Sequence, residues 1–146
     1  MFSFVKYTIF AVMNKRIWYI PLLIVAVNAL AILVKWNSLP EIVPAHFDLE
    51  GNAGGSMPRN DLLLFPLIGV AVCLVAFLIA RFKRELQKGL VILASGICLV
   101  LLLSVLVTLS LGRMPVLMLA EPVVLLAAVV GFFVSVVKAR KRERCK

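Results

Sequence analysis

The side chains able to coordinate a metal, exchange a proton or bind a polar ligand gather in one segment, residues 36–61, WNSLPEIVPAHFDLEGNAGGSMPRND. It holds Glu41, His46, Asp48, Glu50, Asn52, Arg59 and Asp61, and His46 is the chain's single histidine. On an extended backbone, positions two apart project to one face, so His46 and Asp48 lie together. An imidazole beside a carboxylate is half of a metal site or a proton-sensitive pair, because histidine titrates near neutral pH. A metal would need Glu41, Glu50 or Asp61 to fold in as well. Two other roles fit the same residues: a binding surface for another ligand, or a clasp whose local hydrogen bonds fasten the loop to its surroundings. No serine or cysteine near His46 carries a nucleophile signature. A non-enzymatic protein without a cofactor is therefore expected.

The backbone supports the extended reading. Pro40 and Pro44 fix their own φ and hold Leu39 and Val43 away from helix. Alternation then puts Pro44, His46 and Asp48 on a wet face and Ala45, Phe47 and Leu49 on the other, suited to a crevice between helix ends. Glu50-Gly51-Asn52 is a tight turn, and Gly54-Gly55 permits close approach or positive φ.

What positions this segment is membrane helix. The chain of 146 residues is 63% hydrophobic, beyond the range of soluble domains, and has a mean hydropathy of +1.08. The apolar residues form continuous blocks, which predict four transmembrane helices over about 17–34, 62–80, 89–111 and 117–137. The expected fold is an all-α membrane protein, one domain over 1–146, with a long outward loop at 35–61 and a basic tail at 138–146. Residues 1–16 are aromatic and basic, suiting an interfacial helix. Ala29-Leu30-Ala31 formally fits a signal-peptidase site, but the apolar run continues through Val34, which favours an uncleaved helix. Trp18, Tyr19 and Trp36 suit interfacial anchors. Gly112-Arg113-Met114-Pro115 separates the last two spans, and the fourth helix is expected to start between Val116 and Pro122, a start near Pro122 with Glu121 at the N-terminus being favoured.

Thirteen Lys and Arg fall on the side of the two termini and the 81–88 turn, against Lys35, Arg59 and Arg113 on the other. This predicts a multi-pass membrane protein with both termini cytoplasmic and the polar segment outside. The net charge of +9 then belongs to topology and anionic lipid head groups, not nucleic acid. The spans themselves are expected to lack ionisable residues, which argues against a proton pump or ion-coupled carrier. Their polar residues, Asn28, Ser104 and Thr108, suit hydrogen bonds between helices or a pathway, the first being the simpler reading. Ala127, Gly131 and Ser135 form a small-residue stripe for packing within the bundle or for self-association. Cys73, Cys98 and Cys145 imply no structural disulfide, and the first two suit small packing residues.

The spacing Leu39-Pro40, Pro44, His46-Phe47-Asp48, Gly51 and Gly54 resembles a bacterial membrane domain of unknown function that opens SdpI-type immunity and signalling proteins. The resemblance covers a helix, the motif loop and the next helix. An acidic residue often follows the motif glycine in that family, and Asn52–Arg59 contains none. The resemblance implies a small sensing, binding or immunity-like protein that meets a peptide or small molecule through Pro40, Pro44, His46, Phe47, Asp48 and Gly51. A transporter or channel subunit is the alternative, and a metal-dependent accessory to a membrane enzyme a third.

Overall fold

Leu-, Val- and Ala-rich runs satisfy their backbone polar groups internally by forming helices, which hydrocarbon requires. The computed structural model describes residues 16–48, 50, 52–83, 86–110 and 116–144, and four such helices form in it. They are α1 Tyr19–Lys35, α2 Leu64–Phe82, α3 Gln87–Leu109 and α4 Val116–Arg144. All four are long and apolar enough to cross a membrane, so the protein is a multi-pass helical membrane protein. The expected interfacial segment at 1–15, Leu49, Gly51, the break at 112–115 and Cys145 lie outside the described residues.

α3 is the hub. It packs against α1, α2 and α4. Within its apolar stretch 39% is buried, against 6% for α4, which leans chiefly on α3. The interior is layered along the bundle. Ile32, Leu39, Val43, Leu62 and Val105 meet at one end. Val25, Cys73 and Cys98 fill the middle. Trp18, Ala76, Ala80, Leu90, Val91 and Ala94 close the other end, beside the basic turn and tail. Leucines such as Leu23, Leu30, Leu67 and Leu126 stay exposed, as a lipid-facing surface demands.

The first layer is capped by a β-hairpin, the one sheet among the described residues. β1 Ile42–Phe47 pairs antiparallel with β2 Ala53–Pro58, Ile42 opposite Pro58 and Phe47 opposite Ala53. 3-10 turns at Trp36–Ser38 and Arg59–Leu63 join this hairpin to α1 and α2. The extended run anticipates β1. β2 was not foreseen, because AGGSMP has little strand propensity of its own; pairing with β1 extends it.

Two expectations change at the helices. Pro122 lies inside α4 instead of opening it, since the helix begins at Val116. A proline near a helix start forfeits one backbone bond, which a transmembrane helix tolerates. Glu121 therefore sits within the candidate span Leu119–Lys141, and the spans are not free of ionisable residues. Trp18 is no surface anchor: it is 6% exposed, with its ring edge-on to Phe77 at 5.4 Å between centroids. Tyr19 beside it is exposed.

Candidate functional site

The strand alternation of the hairpin holds in part: Val43 and Phe47 are buried, while Ala45, expected on the same face, is exposed. Val43 is 1% exposed and joins the layer at the helix ends, with Met57 packed on the same cluster, and Phe47 is 8% exposed. Ile42 and His46 are exposed, and Pro44 is half-buried. Val105 and Leu109 of α3 complete the seat beneath them.

Arg59 locks the base. Its guanidinium lies 5.1 Å from the centre of the Trp36 ring and donates to the Leu39 carbonyl at 3.5 Å. Its backbone N–H donates to the Glu41 carbonyl at 2.9 Å. Trp36 is half-buried under this cation instead of serving only as an interfacial anchor. The sequence signal was a tryptophan and an arginine flanking the extended run, uninformative until the hairpin pairing brings the two flanks together.

Asp48 closes the tip. Its Oδ1 accepts from the backbone N–H of Glu50 at 3.0 Å and of Asn52 at 2.8 Å, and its Oδ2 from the Asn52 side-chain amide at 3.0 Å. The Asp48 N–H returns a bond to the Asn52 carbonyl at 3.0 Å. A carboxylate that accepts successive turn N–H groups replaces the backbone partners a turn leaves unpaired. Asp48 thus acts as the clasp.

His46 does something different. It stands opposite Gly54, and its ring covers that glycine: a Cβ there would come within 2.7 Å of the imidazole Cδ2. Gly55 alongside has φ +68°, the left-handed region glycine enters without cost. The two glycines leave room for the ring to lie across the strand, with its residue exposed to water. His46 and Asp48 share the wet face, but Asp48 is occupied by the turn, and among the described residues no three of His, Cys, Asp and Glu converge. Pro40 and Pro44 flank the strand start, Pro40 exposed.

In the helices, Asn28 is 1% exposed and its Oδ1 has no hydrogen-bond partner among the described residues. The Ser104 hydroxyl lies 3.0 Å from Glu121 Oε1 on α4 and 3.1 Å from the Val100 carbonyl. Thr108 donates to the Ser104 carbonyl at 3.0 Å, a bond within its own helix. Glu121 is the residue sequence reasoning misplaced, and Ser104 one helix over was the available signal. Gly131 packs against Ile92 of α3, while Ala127 is exposed and Ser135 half-buried, so the small-residue stripe is divided between neighbours. The closest seams are elsewhere: Gly96 receives Ala128, and Gly89 receives Phe132. Cys73 and Cys98 are free thiols in contact across α2 and α3, 3.8 Å between sulfurs.

A family model described as "Domain of unknown function (DUF1648)" matches residues 23–70, from within α1 through the hairpin into α2. Over that stretch the chain is similar to the family. No curated protein matches the chain, and no solved structure matches it.

Proposed function

We propose that this is a non-enzymatic membrane protein that engages a peptide or small-molecule ligand on the wet face of its hairpin, with His46 at the centre. The observation that carries the reading is the division of labour in the His-Phe-Asp motif. Phe47 anchors and Asp48 closes the turn, and both roles consume their side chains. His46 is left exposed with its ring lying over Gly54 and beside Gly55, where no turn bond occupies it among the described residues. An exposed imidazole on a paired strand is available to a ligand from solvent, which supports recognition. The Lys and Arg distribution supports both termini inside and the hairpin outside, and the family resemblance supports a bacterial cytoplasmic membrane.

The resemblance to SdpI-type proteins supports an immunity-like version, in which the ligand is a secreted toxic peptide. Expression in a toxin-sensitive host tests it. Protection should appear with the wild type and vanish with His46→Ala, at equal protein level and equal thermal midpoint in detergent. A mutant that is simply less stable would make His46 a second clasp and end the proposal. Assembly as a transporter or channel subunit is the second reading, favoured by the unpartnered Asn28 Oδ1 and by the Glu121–Ser104 contact inside the spans. Solute flux in vesicles that disappears with Asn28→Leu would support it.

A further inference from the structure

At the hairpin end, α1 and α3 frame an open groove of about 590 Å³. Val27, Leu30, Ala31 and Val34 of α1 form one wall, and Leu106 and Leu109 of α3 the other. Lys35 and Ser110 stand at its mouth. We infer that this groove is a binding site for an anionic phospholipid, one acyl chain lying along the cleft and the phosphodiester at Lys35.

Length, polarity and charge each support that occupant. From Val27 to Lys35 the groove rises eight helical positions, roughly 12 Å. The hydrocarbon of one leaflet is about 15 Å deep. The cleft thus takes most of one chain and does not continue into the opposite leaflet. Its walls lie within candidate spans and are largely exposed, Val27 at 45%, Leu30 at 60% and Val34 at 71%, so hydrocarbon must fill them in a membrane.

The head-group end is selective by charge. Lys35 is exposed and forms no ion pair among the described residues. The Ser110 hydroxyl donates to the Val107 carbonyl at 2.7 Å, so its proton is committed and the ammonium is the group that meets the phosphate. A zwitterionic lipid offers the same phosphate but carries its own cation, which cancels the advantage. This site lies at the opposite end of the bundle from the basic turn and tail, so it is distinct from their contact with lipid.

The test must resolve the site, because the basic end also attracts anionic lipid. Full-length protein in nanodiscs receives a phosphatidylglycerol with a diazirine in one acyl chain, and labelled peptides are mapped by mass spectrometry. Labelling of the Val27–Val34 stretch is expected, competed by unlabelled phosphatidylglycerol and not by phosphatidylcholine or by chainless glycerol phosphate. Lys35→Gln should cut that labelling about fivefold, the size of one basic residue's attraction near an anionic surface, and Lys35→Arg should restore it. Ala31→Trp should fill the cleft and abolish it. Equal labelling by a phosphatidylcholine probe, competition by glycerol phosphate, or labelling that survives Lys35→Gln would each overturn the proposal.

Discussion

Two regions sit outside the three-helix centre of this protein, and they are attached in opposite ways. The hairpin has few residues but drives Val43 into the helix ends, locks its base with Arg59 on Trp36, and closes its tip through Asp48. α4 is the longest helix and leans chiefly on α3, through glycine notches that accept Ala128 and Phe132. The hairpin faces water, so removing apolar area from solvent helps hold it. α4 faces lipid, where burying apolar area against protein gains little and close fit must do the work. The similarity to the family covers the hairpin but stops before α3 and α4. Even so, the seat under the hairpin includes Val105 and Leu109 of α3. The matched stretch therefore depends on a helix outside it.

The comparison predicts a ranked series of failures. Val43→Asp places a carboxylate in a site 1% exposed to solvent and should undock the hairpin. The expected loss is several kcal/mol, about 3–5 for an uncompensated buried charge, read as a lower unfolding midpoint and faster tryptic cleavage at Arg59. Gly96→Leu should drive α4 off α3 through overpacking, at about 1–3 kcal/mol. In a background with the native cysteines replaced, a cross-link between Ile92→Cys and Gly131→Cys should then be lost while Arg59 stays protected. If both regions fail together in either variant, their attachments are not independent.

Smaller effects sharpen the picture within the hairpin. Asp48→Ala should cost about 1–2 kcal/mol, because its three bonds are exposed and water replaces part of each. Faster hydrogen exchange at Asn52, with the helices unchanged, would locate the effect. Gly54→Ala should cost about 1 kcal/mol by forcing the imidazole aside, and the penalty should shrink in a His46→Ala background. Equal penalties in both backgrounds would mean that ring and glycine are not coupled. Ser104→Ala should have the least effect, about 0.6 kcal/mol, typical of a hydrogen bond between membrane helices.

Much of the hairpin was legible because its cues are local. The prolines dictate extended backbone before His46, and the alternation assigns Phe47 inward and His46 outward. The Glu50-Gly51-Asn52 sequence marks a turn. What stayed hidden depends on partners distant in sequence. Arg59 means little until it meets Trp36. Trp18 reads as an anchor until Phe77 covers it. Glu121 reads as a helix start until α4 is seen to begin earlier, which puts its carboxylate beside Ser104.

The sequence by itself determined a membrane protein of four helices with an extended polar segment between the first two, because hydrocarbon admits only long apolar helices and prolines forbid a helix before His46. Only the tertiary structure decided that α3 is the hub, that the polar segment folds back as a hairpin seated on Val105, and that Asp48 and His46 part company in role. Those outcomes rest on close packing between residues far apart in the chain. Shape complementarity of that kind leaves no periodic trace in a sequence.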